Sequence, residues 1–411
     1  MQKFEKHSPV VVTEVTTKHE LRQFMQYPNR LYADNPNYIP SFYGDDLSDW
    51  TPGKNPAFDY CEARCWLAWR DGEIVGRIGA ILSHKANDKF GTHRMRFSQV
   101  DFVDDSEVSA ALFGTVERWA RQKGCDQVHG PLGFTDMDRE GMLVEGFDRR
   151  SLFITNYNAP YYPEHLTRLG YRKDVDWIEY RISVPAPGGA EAERLHKLSE
   201  FILKRKHLHV ATLHHKSEYG PFVRQVFELV NAAYAPLYGV VELSDEQIER
   251  YANKFIPLVD PDFVCFVLDE QDKLVAFGVT TLDPSPALKH SDGRLFPFGW
   301  AEVLNDLHHG DTLIMLLTAV RPDLQTEGIN AVMMDHVCQS CNRHGVQFAE
   351  TGPMLELNDH ILAQWKRLEK EQHKRRRCFI KDLDHGINAA NAAAAAQAEA
   401  PEAAPAAKSA E

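Results

Sequence analysis

The sequence predicts an α/β protein in which a single α/β unit is written twice. Three observations carry this. A hairpin, a strand, a helix and a short strand recur in the same order in both halves, and a Pro/Gly-rich break lies between them. The length, 411 residues, suits two domains.

In the first half, Cys65–Arg70 and Glu73–Leu82 flank Asp71-Gly72, a strong hairpin signal. An extended run, Arg94–Val103, precedes a helical stretch, Glu107–Lys123, with apolar residues at three- and four-residue spacing. Lys123-Gly124 stops that helix, and a short strand leads to Gly130-Pro131. Residues 183–192, SVPAPGGAEA, have little to bury and read as a linker.

In the second half the hairpin runs are Asp262–Asp269 and Lys273–Leu282, followed by Thr312–Val320 and a helix over Glu327–His344. His344-Gly345 ends it and Gly352-Pro353 follows, offset from the first-half pairs by 221 and 222 residues. The expected organisation is a first domain over 1–182, a linker over 183–192 and a second domain over 193–385. The Ala-rich tail, 386–411, lacks an apolar face and is expected to be disordered.

Composition narrows the functions. With 59 acidic and 46 basic residues the net charge is −13, which argues against nucleic acid as the main partner. No run of 18 apolar residues exists, and the N-terminal three-valine run is too short for a signal-peptide core. Seven cysteines, an odd and sparse set, suit a reducing compartment, so a cytoplasmic protein is expected.

The most informative segment is the strand ending at Val320, with its Arg321-Pro322 break and the loop Gln325-Thr326-Glu327-Gly328-Ile329-Asn330. Proline ends the ladder, and the loop leaves free backbone N–H groups at a helix N-terminus. Such a start is a ready anion site, and a glycine lets a diphosphate approach the backbone. Any strand–loop–helix crossover needs a similar start, so the pattern alone leaves a purely structural role open.

Val320, Pro322, Gln325 and Gly328 resemble the acyl-CoA-binding signature of the GNAT superfamily of acyltransferases, with Asn330 where that family has Gly or Ala. Glu350, Leu355, Glu356 and Asn358 match a segment of one tandem-GNAT bacterial family, in which Pro353 replaces a Trp. Tyr38-Ile39-Pro40, Gly76-Arg77-Ile78, Gly130-Pro131, Gly141 and Tyr157–Tyr162 fall in the same family's pattern. The resemblance covers roughly residues 20–383. It implies two GNAT-like domains in tandem, each with a mixed α+β sheet, and an acyl-CoA-dependent N-acyltransferase. Some relatives are implicated in bacterial ceramide synthesis, so a long-chain amino alcohol is an expected acceptor.

Only the second half is expected to hold acyl-CoA. The first-half loop carries Asp101, Asp104, Asp105 and Glu107, which would repel a diphosphate. The resemblance implies that the strand Leu316–Val320 splays and that Leu317, Thr318, Val320, Gln325, Glu327, Gly328, Ile329 and Asn330 bind the cofactor.

Acyl transfer to an amine needs a base, aligned reactants, a stabilised oxyanion and an acid for the thiolate. Glu350, near a strand end beside the cofactor strand, is the expected base; a salt-bridged strand-end Glu reads equally well. Tyr238 is the candidate acid, with packing as the alternative. Asn358 is read as orienting a polar group or capping the following helix.

His336, Cys338, Cys341 and His344 share one helix, which cannot wrap four ligands round an ion, so no metal is expected. Lys374–Arg377 reads either as a phosphate or lipid-headgroup contact, with peripheral membrane binding, or as an alternating strand. Tyr157–Tyr162 and Phe296–Trp300 read as an acceptor channel or as interface core. Two rival functions remain: a non-catalytic acyl-CoA-binding protein, and an aminoacyl-tRNA-dependent transferase, which the net charge disfavours. Neither the acyl chain length nor the oligomeric state is legible.

Overall fold

The computed structural model describes residues 8–384, so the Ala-rich segment from 386 lies outside the described residues. The described residues form one mixed sheet. Its strands are β1 (Val11–Glu14), β2 (Cys61–Arg70), β3 (Glu73–Ser83), β4 (Arg94–Phe102), β5 (Gln127–Gly130), β6 (Met142–Glu145) and β7 (Arg172–Ser183) in the first half. The second half supplies β8 (His209–Val210), β9 (Val264–Leu268), β10 (Leu274–Leu282), β11 (Thr312–Val320), β12 (Phe348–Thr351), β13 (Met354–Leu355) and β14 (Lys370–Asp382).

Local chemistry explains the repeated parts. Asp71 and Gly72 both take positive φ, 52° and 82°, the turn that matches the twist of β2 and β3. The helices Ser106–Gln122 and Asn330–His344 follow β4 and β11, and each returns the chain for a parallel pairing, β4 with β5 and β11 with β12. Gly124 and Gly345 end them at φ of 75° and 72°.

The strand order is β1-β2-β3-β4-β5-β14-β7-β12-β11-β10-β9-β8. The last strand of each half therefore crosses into the other: β14 pairs with β5, and β7 pairs with β12. The two exchanged strands lie side by side over their length at the centre of the sheet. The chain turns between β7 and the helix Ala190–Lys206, but the sheet runs on without interruption.

Two features position the site. β11 and β12 are paired only from Thr312–Phe348 to Met315–Thr351, and beyond that they diverge. At the divergence Val279 opposes Leu317 while Thr280 opposes Met315, so Leu316 is an extra, bulged residue. The bulge keeps Leu313, Met315, Thr318 and Val320 toward the helix Asn330–His344, while Leu316, Leu317 and Ala319 meet the helices Gly220–Tyr234 and Asp245–Phe255. Among the described residues no helix is long and apolar enough to cross a membrane.

Candidate active site

A cavity of about 340 Å³ opens where β11 and β12 part, and it reaches both faces of the sheet. Met315, Leu316, Leu317 and Thr318 wall one side of the gap, and Gly352 to Leu355 wall the other. Among the described residues no strand covers the β12-facing edge of β11 beyond Met315. Of the expected cofactor residues, Leu317, Thr318 and Asn330 line this cavity.

The loop leading into the helix Asn330–His344 has the expected conformation. Gly328 sits at φ 81°, and among the described residues the backbone N–H groups of Gly328, Ile329 and Asn330 donate to no protein group. No side chain caps this helix. Val320 and Ile329 are core residues, Gln325 Nε2 donates to the Val320 carbonyl, and Glu327 pairs with Lys206 at 2.5 Å. Those four side chains hold the loop in shape and leave its backbone free.

The matching first-half loop is closed. Asp105 caps its helix by accepting from Glu107 N and Val108 N, and Asp101 pairs with Arg77 at 2.7 Å in the core. Glu107 binds Arg70 at 2.7 Å, and Asp104 lies 2.9 Å from His165. All four carboxylates serve the fold, with one of them on the helix donors that a phosphate would need.

Glu350 does not line the cavity, although its neighbours Ala349 and Thr351 do. Strand alternation sends it to the other face of β12. There it accepts from Lys374 Nζ at 3.2 Å, with Arg181 at 3.6 Å. Lys374 also lies 3.6 Å from Glu179, and Glu179 accepts from Arg376 Nε at 2.5 Å. Arg376 and Glu179 are wholly buried, so this is an ion-pair network joining β7, β12 and β14. Burial alone would raise the Glu179 pKa, but Arg376 and Lys374 outweigh it and hold the carboxyl low.

The basic run is thereby accounted for. Lys374 and Arg376 belong to the buried network, while Arg375 and Arg377 reach Asp176 at 3.1 and 2.8 Å. Every one of the four has a carboxylate partner within the protein, as the alternating-strand reading expects.

Tyr238 turns its ring to the cavity, but its hydroxyl points away into a polar cluster. It donates to Asp174 at 2.5 Å and lies 2.9 Å from His129 Nδ1 and 3.5 Å from Cys378 Sγ. Asn358 lies at the cavity wall, and its Oδ1 accepts from Ile361 N, so it caps the helix Asp359–Ala363. Cys338 and Cys341 face the cavity from their helix, whereas His344 pairs with Asp262 at 2.7 Å on its outer side.

Both aromatic segments depart from the channel reading. Tyr157 and Tyr162 are buried in the first-half core, where Tyr162 stacks on Phe102 at 4.2 Å. Phe296 and Phe298 are 81% and 75% exposed, because the turn into the helix Gly299–His309 projects them from the surface.

The sequence reading missed the cavity's acidic side. Asp136, Asp138 and Glu140, in the first-half loop after β5, line the cavity opposite β11. Asp138 accepts from Phe134 N and Thr135 N and so shapes the loop. Among the described residues the Glu140 carboxyl has no hydrogen-bond or ion-pair partner, and that of Asp136 meets only its own N–H. Desolvation, then mutual repulsion, pushes Glu140 well above the usual carboxylate range and Asp136 up to about 6. Arg96 on β4 donates to the carbonyls of Gly133 and Gly239, tying the acidic loop to the Tyr238 loop. The signal was present as Asp-x-Asp-x-Glu in a loop. Nothing local showed that this loop faces the second half's cleft.

No protein-family model matches the chain. Protein YghO of Escherichia coli (strain K12) is 27% identical over 383 residues, covering 91% of this chain and 95% of that protein. The bacterial ceramide synthase of Caulobacter vibrioides (strain NA1000 / CB15N) is 28% identical over 299 residues, 71% of this chain and 75% of that one. A solved tandem GNAT protein from the clavulanic acid biosynthesis pathway superposes with a TM-score of 0.51 at 13% identity, covering 91% of this chain and 98% of the other. The fold is that of a tandem GNAT protein. Within the tandem GNAT frame, the parted β11 and β12 and the open helix N-terminus belong to the second half, and the acidic loop belongs to the first.

Proposed function

We propose that the protein is an N-acyltransferase that moves an acyl group from acyl-CoA to an amine. The observation that carries this reading is the cavity itself. It joins an uncapped helix N-terminus, a splayed strand edge and an unpaired, proton-hungry carboxyl. The tandem GNAT fold and the ceramide synthase relative support acyl transfer in general.

In this reading the backbone N–H groups of Gly328 to Asn330 hold the diphosphate. The pantetheine arm enters along Thr318 and Leu317, which brings the thioester to the bulge at Leu316. The free edge of β11 supplies donors for the tetrahedral oxyanion. Glu140 takes the amine proton, directly or through water, and Asp136 keeps the acceptor ammonium close before it is deprotonated. Tyr238 cannot serve readily as acid, because its proton is committed to Asp174. Tyr234 is better placed: it lines the cavity, its pKa, pushed up to about 12, keeps it protonated, and its bond to the neutral Thr318 carbonyl at 2.8 Å is given up more easily than that of Tyr238 to a carboxylate. An apolar cavity with an acidic wall fits an acceptor with one amine on a hydrocarbon body, so a long-chain amino alcohol is the acceptor to try first.

The test is release of free CoA thiol when purified protein meets acyl-CoA and such an amine, with mass-spectrometric detection of the amide. Turnover supports the reading; tight CoA binding with no turnover on any amine would favour a binding protein instead. The cofactor assignment has its own test. Gly328→Val adds a branched side chain at φ 81°, 3.1 Å from Ile202 Cδ1, where the backbone must meet the diphosphate. CoA affinity is expected to fall about tenfold or more by calorimetry, the cost of one lost charge-assisted contact. Unchanged affinity would move the diphosphate elsewhere.

A further inference from the structure

Resting on the acyl-CoA reading, we propose that the acyl tail lies in the arm of the cavity beneath the helix Asn330–His344, and that Ala349 and Cys341 set the chain length accepted. The two arms differ in chemistry. The arm on the far face of the sheet carries Asp136, Asp138 and Glu140 among apolar groups such as Leu237, Val240 and Phe255, which suits an amine on a hydrocarbon body, whereas among the described residues no charged group lines the helix-side arm. The arm on the helix side runs past the point where β11 and β12 part, over strands that are already hydrogen-bonded to each other. There it is walled by Val337, Cys338 and Cys341 of the helix, Ala349 of β12, and Ile182 and Val184 at the end of β7.

Two features make this arm a place for an acyl chain. First, its wall from the helix follows one face: Asn330, Met333, Met334, Val337, Cys338 and Cys341 succeed one another at helical spacing. From Met333 to Cys341 is eight residues, about 12 Å of rise, more than a two-carbon acyl group needs. Second, the far end is made of small side chains. Helix and sheet pack closely here, and an alanine and two cysteines, the smallest apolar groups of the wall, line the cavity where it runs into that packed core. Both cysteines are reduced in the structure, and burial pushes their thiols up to about 11 and about 12, so they behave as small apolar groups and not as nucleophiles.

The arrangement separates the reactants. The diphosphate sits at the helix N-terminus, the thioester at the Leu316 bulge and the tail beneath the helix. The acceptor then approaches from the acidic face. Binding energy from the tail is gained on the face away from the amine, so tail length tunes acyl-CoA affinity without crowding the acceptor.

Ala349→Leu and, separately, Cys341→Phe test this by filling the end of the arm. In calorimetric titrations the wild type should bind palmitoyl-CoA more tightly than butyryl-CoA. Each variant should lose about tenfold or more in palmitoyl-CoA affinity, the equivalent of a few displaced methylenes, and hold butyryl-CoA within about twofold. Equal affinities for the two thioesters in the wild type, or variants that bind palmitoyl-CoA as the wild type does, would overturn the tail assignment. The wild type supplies a second measurement that needs no variant to fold. An acyl-CoA with a terminal diazirine should label the peptide spanning 333–344 or β12. Labelling of 136–140 or 237–240 puts the tail on the acidic side and refutes the proposal. If no CoA species binds the wild type at all, the acyl-CoA reading fails first, and the two failures are thereby told apart.

Discussion

Glu140→Gln should lower the rate of amide formation by about 10²–10⁴-fold, the usual share of a positioned general base, while leaving CoA affinity within about twofold. The substitution keeps shape and removes only the ability to accept a proton. Because burial and its acidic neighbours raise the Glu140 pKa, the wild-type rate should climb with pH through a value well above the ordinary carboxylate range. The variant's residual rate should lack that limb. A folded Glu140→Gln protein that turns over at the wild-type rate would remove Glu140 as the base.

The same carboxyls tax the fold. A carboxyl whose pKa is raised on folding contributes stability below its unfolded pKa and loses it as pH rises through the folded value. Asp136 moves from 3.8 to about 6, so at pH 8 its ionisation costs up to about 3 kcal/mol. Asp136→Asn should therefore raise the unfolding midpoint at pH 8 and leave it unchanged near pH 3. A gain that persists at pH 3 would point to packing instead. Loops that destabilise the fold in return for a reactive group are the pattern expected of an active site.

The second large effect is expected at the junction of the exchanged strands. Arg376→Met leaves Glu179 charged, buried and short of its closest partner, and should cost about 3–5 kcal/mol in denaturant unfolding. The low Glu179 pKa adds a pH signature: its contribution is present above the ordinary Glu value and is lost as pH falls toward the folded one. The network should thus weaken in acid, and the difference between wild type and variant should narrow there. Glu350→Gln belongs to this network and not to the cavity, so it should lower stability while turnover per folded molecule stays within about twofold. A stable Glu350→Gln protein without activity would restore Glu350 as the base. An Arg376→Met protein as stable as the wild type would show that the ion pairs merely break even.

Local chemistry was legible without a structure. Asp71-Gly72 makes its turn, Gly124 and Gly345 end their helices, and the Gln325–Asn330 loop opens a helix with free N–H groups, because each depends on residues a few positions apart. The repeat of that order predicted the tandem architecture. Pairing across the chain was not legible. A strand's alternation says that Glu350 and Ala349 face opposite ways, but not which way meets the cavity. That depends on β7 lying between β12 and β14 in the sheet, which sets Glu350 beside Lys374 of β14, 24 residues further on. The aromatic run Phe296–Trp300 looked fit for a buried channel, and only the path of the chain into its helix sets it in solvent. Asp136 and Glu140 were visible as charges in a first-half loop. The exchange of strands turns that loop toward the second half's cleft, where desolvation raises the pKa of both carboxyls. Short-range hydrogen bonding and turn geometry wrote the repeated units and the open Gln325–Asn330 loop into the sequence. Only the tertiary structure decided which half lines the cavity with unpaired carboxyls, because burial and charge pairing depend on neighbours in space and not on neighbours in sequence.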